Sequence, residues 1–128
     1  MSYYLEKTLP TSFDDALTRT TQALKAEGFG VITQIDMRDT LKRKIDADFR
    51  PYTILGACNP TLAFEALKLE DKVGTMLPCD VIVQEFRPGE VEVAAVDPVA
   101  SMQAIENQQL ADKAATVRGK LEKVVQSL

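Results

Sequence analysis

Apolar residues follow two rhythms along this chain, one of period two and one near 3.6, and each change of rhythm marks a change of element. Residues 3 to 9 (YYLEKTL) read as a first strand. Pro10 then leads to Thr11 and Ser12, either of which can cap a helix whose first turn holds Asp14 and Asp15. Phe13, Ala16, Leu17, Thr20, Ala23 and Leu24 share one helical face, and Gly28 supplies a left-handed stop, so this helix is expected to lie on a sheet. From Gly30 to Met37, Val31, Thr33, Ile35 and Met37 alternate with Ile32, Gln34 and Asp36, which predicts a second strand with one face more buried than the other. Asp39 is read as the cap of a short basic helix ending before Pro51, with Leu41 and Ile45 inward and Lys42, Arg43 and Lys44 mostly outward.

Tyr52 to Cys58 (YTILGAC) is almost continuously apolar, the pattern of a central strand covered on both sides, and Gly56 within it marks the close approach of another backbone or a ligand. Asn59 and Pro60 follow as cap and first residue of a helix that carries Leu62, Ala63, Ala66, Leu67 and Leu69 and ends near Glu70. A connection from Lys72 to Pro78 leads to two strands, Asp80 to Phe86 and Glu90 to Val96, whose Arg87-Pro88-Gly89 link fits a type II hairpin turn. Asp97-Pro98 repeats the cap-then-proline chemistry and opens a short helix, and Asn107 precedes a longer one. In that last helix Leu110, Ala114, Val117, Leu121, Val124 and Leu128 recur at spacings of four and three. Packing on the protein's own sheet is favoured over a dimeric helix pair, because the seam is short and carries alanine and valine.

Length and composition narrow the class. A chain of 128 residues with 45% apolar and 27% charged side chains is read as one domain, residues 1–128, with a core large enough to need neither metal nor disulfides for stability. Fifteen basic against 19 acidic side chains leave a net charge of −4, which disfavours nucleic acid and anionic membrane surfaces as partners. Glu6, Lys7, Asp14 and Asp15 interrupt any leading apolar run, so a cytoplasmic location is expected. The chain has no histidine, which removes the usual general base, the Ser-His and Cys-His pairs and the commonest zinc ligand. There is no P-loop, no GxGxxG and no nucleophile elbow, so no enzyme class and no cofactor is assigned.

Three sets of side chains remain as candidate chemistry. Cys58 ends a strand just before the Asn59-Pro60 helix start, where a thiol's pKa tends to fall; the competing reading is that Cys58 and Cys79 are small buried hydrophobes. Whether the two meet depends on topology. A parallel crossover separates them by about 20 Å, whereas a connection that returns along the helix brings them near, and a shared disulfide needs Cα atoms within about 7 Å. Lys42 and Lys44, with Arg38, Arg43 and Arg50, form a locally positive patch open to an anionic metabolite, against which stands an ordinary solvated helix face. Asp80, Glu85, Glu90 and Glu92 decorate the hairpin and are best explained as strand-end and edge charges.

The stretch Ile54-Leu55-Gly56-Ala57-Cys58-Asn59-Pro60, followed by Ala66-Leu67, Leu77-Pro78-Cys79-Asp80-Val81 and later Asp97-Pro98, resembles domain-of-unknown-function family 302 over nearly the whole chain. The resemblance implies a two-layer α+β fold, with helices on a largely antiparallel sheet of about five strands similar to one half of a TATA-binding protein, often as a homodimer, and no established activity. It points to the GACNP and LPC segments as the place for a site, with Cys58, Asn59 and Cys79 the matching positions, and a bound molecule or partner is expected at the junction of these three with Gly56. Two functions follow as expectations. One is a cytoplasmic domain that binds a small molecule or a protein partner at that junction. The other is a thiol-based sulfur-transfer, redox or metal-binding protein using Cys58 and Cys79.

Overall fold

Residues 2–128 are described by a computed structural model. Five strands, β1 (Tyr4–Leu9), β2 (Gly30–Asp36), β3 (Tyr52–Cys58), β4 (Cys79–Arg87) and β5 (Glu90–Val96), form one antiparallel sheet in the order β1-β5-β4-β3-β2. Between and after them lie α1 (Phe13–Ala26), α2 (Met37–Ile45), α3 (Pro60–Leu69), a 3-10 helix (Asp71–Met76), α4 (Pro98–Ser101) and α5 (Gln108–Gln126). This is the expected α+β class.

Helices α1 and α5 lie on one face of the sheet because alternation sorts the strands that way. Leu5, Val83, Val81, Leu55 and Ala57 turn to the same side as their cross-strand partners Ala95, Val93, Cys79 and Thr53. Against that side pack Ala16 and Leu24 of α1 and Leu121, Val124 and Val125 of α5, forming the main core. A smaller cluster of Ala66, Val73 and Leu110 joins α3, the 3-10 helix and α5. Burying each large aliphatic side chain contributes roughly 1.5–3 kcal/mol, so the main core dominates the favourable terms. The α5 seam thus serves the chain's own sheet, with Leu110, Ala114, Leu121 and Val124 buried.

Local chemistry sets the helix ends. Ser12 accepts from the Asp15 amide, Asn59 from Leu62, Asp97 from Val99 and Asn107 from Leu110. Gly28 at φ +86° closes α1, with the Phe29 amide donating to the Leu24 carbonyl. Gly89 at φ +82° fits the third position of the type II turn between β4 and β5.

Four expectations are corrected. β4, not β3, is the middle strand; β3 lies one in from the edge, next to β2. β2 is itself an edge strand and is exposed along nearly its whole length, Ile32 and Ile35 included, so no buried face develops. A bulge between Val31 and Thr33 breaks its register and makes it a poor template for further strand pairing. The basic helix starts at Met37, capped by Asp36, whose carboxylate accepts from the Asp39 amide, and Asp39 sits in the first turn. Helix α2 buries no residue, and Ile45, expected inward, is 69% exposed.

Candidate functional site

The GACNP segment closes β3 and opens α3, and the LPC segment enters β4, so the antiparallel pairing of β3 with β4 brings the two segments side by side. Ala57 stands directly opposite Cys79. The 3-10 helix turns the chain back after α3, which makes this return possible; the Leu77-Pro78 peptide bond is cis. Of the two routes open from sequence, the chain takes the one that brings the cysteines near each other.

Above this junction lies a cleft of about 320 Å³ between the strand ends, α3, the 3-10 helix and α5. It separates the main core from the smaller cluster. Its floor is Phe29, Ala57 and Cys79; its walls are Leu62, Ala63 and Ala66 on one side and Leu110, Ala114 and Val117 on the other. Small residues face each other across the helices, and the missing side-chain volume is the cavity. The volume is at the lower end of the range for small-molecule sites, which are mostly apolar with a few placed polar groups.

Those polar groups are few and mostly occupied. The Asn59 side chain is engaged in capping α3, its Oδ1 accepting from the Leu62 amide at 3.2 Å. Lys113 is the one charged side chain in the lining, and its ammonium pairs with Glu65 at 2.7 Å at the mouth. The Lys113 partnership holds the Glu65 carboxyl below its usual range. Burial pushes the Cys79 thiol up to about 11, with Asp80 and then Cys58 adding to the effect.

Cys58 lies one residue past Cys79's partner, pairs with Gly30, and is half-buried at the cleft. Both thiols are free. Both line the cleft, and Cys58 is near enough to contribute to the rise of the Cys79 pKa. Among the described residues no group of three or more Cys, Asp or Glu side chains is placed to hold a metal.

Gly56 is the third residue of the junction, and here the close approach is explicit. A Cβ at this position would run into the Thr33 hydroxyl of β2 and come within 2.8 Å of Pro78 Cγ. Glycine lets the edge strand and the LPC segment close on β3. The neighbour that Gly56 accommodates is therefore side chains of this chain.

Lys42 and Lys44 stand apart from the junction, at the far end of β2 and β3, roughly 20 Å along the strands. Lys42 pairs with Asp46 at 2.9 Å and Asp48 at 3.1 Å, and these carboxylates hold its ammonium above the usual range. Arg43 pairs with Asp39, and Lys44 is exposed. The basic run is largely matched by its own aspartates.

The Cys79 environment has a measurable consequence. With a pKa near 11, only about one molecule in a thousand carries the thiolate at pH 8. Native protein treated with iodoacetamide at pH 8 is expected to leave Cys79 unmodified, while urea-unfolded protein is modified at both cysteines. Peptide mapping that finds Cys79 labelled in the native state at the unfolded rate would show that the start of β4 opens freely.

The α5 contribution to the cleft escaped the sequence reading, because Ala114 and Val117 count equally well as core positions. The available signal was the recurrence of alanine at inward positions of two helices, Ala63 and Ala66 on α3 and Ala114 on α5.

Comparison with known proteins places the geometry in context. A family model described as "Domain of unknown function DUF302" matches residues 5–128. The crystal structure of an uncharacterized conserved DUF302 protein from Bacillus stearothermophilus superposes with a TM-score of 0.90 at 27% sequence identity, covering 98% of each chain. No curated protein matches the chain.

Proposed function

We propose, for a chain that belongs to the DUF302 family, a binding role rather than a catalytic one: the cleft above the GACNP and LPC segments takes a small apolar molecule or the apolar part of a larger one. The observation that carries this reading is the wall chemistry, apolar nearly throughout and ending in a single ion-paired lysine at the mouth. Affinity in such a site comes from removing apolar surface from water, about 25 cal/mol per Å², and needs no general base. Gly56, Cys58, Asn59 and Cys79 then act as framework: Gly56 allows the close approach, Asn59 fixes the start of α3, and the protonated Cys79 is part of the apolar floor.

Thiol chemistry has less support, since the Cys79 thiol is held in its protonated form. Two free thiols suit a reducing compartment, which favours a cytoplasmic location. Exposed Ile32 and Leu67 line the cleft, and a second copy seated there would roof it, which favours a homodimer.

Titration with Nile red tests the reading. A blue-shifted, saturable signal at one dye per chain, displaced by medium-length alkanols, is expected. Dye that partitions without saturating, or that alkanols fail to displace, would remove the apolar-ligand function.

A further inference from the structure

The sheet face that no helix covers carries a second concavity, of about 490 Å³, on the other side of the strands from the cleft. Its lining contains all three tyrosines of the chain, Tyr3, Tyr4 and Tyr52, together with the carboxylates of Glu6, Asp80 and Glu92. The register explains the gathering. Tyr4 and Glu6 are two apart on β1 and so share a face; Glu6 stands opposite Ala94, and Glu92, two residues away on β5, is its diagonal neighbour. Ile82 and Ala94 form an apolar floor between the carboxylates and the far wall. The Tyr3 and Tyr4 rings meet edge to face with centroids 4.9 Å apart, giving a firm aromatic side.

Three carboxylates here face one cation, Arg50, which is already held among aromatic rings, Tyr52 of the basin included at 5.9 Å. The Arg50 guanidinium carbon sits 4.3 Å from the centroid of Phe49 and 5.2 Å from that of Phe86. Its Nε donates to Gln84 Oε1 at 2.9 Å, and Gln84 Nε2 in turn donates to Glu92 at 2.9 Å, so the link to Glu92 runs through an amide. Gln84 is 7% exposed and has both ends of its amide engaged. The arrangement fixes one oxygen of Glu92 and leaves Glu6 beside a like charge. The Glu6 carboxyl is accordingly held above its usual range, first by its hydrogen bond with Glu92 and then by their repulsion. Partial desolvation does the same to Asp80.

We propose that this basin binds a small organic cation, an ammonium carried on an apolar or aromatic body, with the ammonium between Glu6 and Glu92 and the body on Ile82 and the tyrosine rings. Charge selects a cation, and the aromatic walls select an organic one, because ring faces attract ammonium groups while adding no oxygen ligands for a bare metal ion. Arg50 on its own aromatic neighbours shows the same pairing within the chain. The site is independent of the cleft on the helix-covered side.

Three probes of one shape separate the contributions: 2-phenylethylamine, its neutral counterpart 2-phenylethanol and the anion phenylacetate, each titrated into the ¹⁵N-labelled protein by NMR. Saturable shifts at Tyr4, Glu6, Ile82 and Glu92 are expected for the amine, at least tenfold weaker binding for the alcohol, and none for phenylacetate. The double variant Glu6→Gln, Glu92→Gln, with an otherwise unchanged spectrum, is expected to bind amine and alcohol alike. Equal binding of amine and alcohol by the unaltered protein overturns the proposal, as does absence of shifts on this face. Shifts there that depend on protein concentration and not on the amine also overturn it, because they would mean a second copy covers the sheet.

Discussion

Replacing Ala63 with tryptophan is expected to lower affinity for apolar ligands of the cleft at least tenfold while leaving the fold in place. Ala63 is half-buried on α3 and faces the open volume, so the indole has space to enter that a fully buried alanine would deny it. Alanine to tryptophan adds a side chain comparable to a small ligand, and the new ring competes for the same apolar walls. Because the cavity is filled and not created, the stability change should be small or favourable, in contrast to overpacking of a closed core, which costs about 1–3 kcal/mol. Nile red titration alongside thermal unfolding separates the two effects. Undiminished dye binding with a correctly folded variant would mean that the dye, and the apolar ligand it stands for, sits elsewhere.

The Gly56→Ala substitution is expected to be costly for the opposite reason. The added methyl meets the Thr33 hydroxyl on one side and Pro78 on the other, with no open space to receive it. Strand β2 has to move away from β3, or the LPC segment has to shift, and a loss of about 1–3 kcal/mol is expected from urea unfolding. Combining it with Thr33→Ala removes the closest atom and should recover part of that loss, leaving the contribution of Pro78 Cγ at 2.8 Å. A Gly56→Ala protein as stable as the parent would show that β2, an edge strand with a bulge, is free to withdraw.

The contrast between these two positions of small side chains says where sequence is readable. Caps were legible because they are local: Asn59, Asp97 and Asn107 each sit two or three residues before the amide they satisfy, and of Thr11 and Ser12, both open from sequence, the structure uses Ser12. The hairpin was legible for the same reason, since Pro88 and Gly89 impose the turn by their own dihedral preferences. Asp36 and Asp39 lie three apart with equal capping chemistry, and the structure uses Asp36 where Asp39 was expected as the cap.

Strand order was the non-local part. YTILGAC reads as a central strand because its apolar run is unbroken, yet only three of its seven residues, Leu55, Gly56 and Ala57, are consecutively buried, and the place in the middle goes to β4. Alternation in β2 promised a buried side that an edge position does not provide. The GACNP and LPC segments marked the floor of the candidate site, whereas the α5 wall, some fifty residues further along, became visible only once the chain had folded. The tyrosine and carboxylate basin was less legible still. Glu92 looked like an edge charge until the register set it beside Glu6.

Helix α5 belongs to two compartments at once: Leu121, Val124 and Val125 complete the core, while Leu110, Ala114 and Val117 line the cleft. A molecule held by the upper half therefore works as an extra piece of hydrophobic interior that the polypeptide itself does not encode. Its contribution grows with its free concentration relative to its dissociation constant, by about 2.7 kcal/mol at a hundredfold excess. If the cleft holds the proposed ligand, the melting point is a gauge of what the protein carries, and preparations from different hosts or growth media are expected to melt at different temperatures.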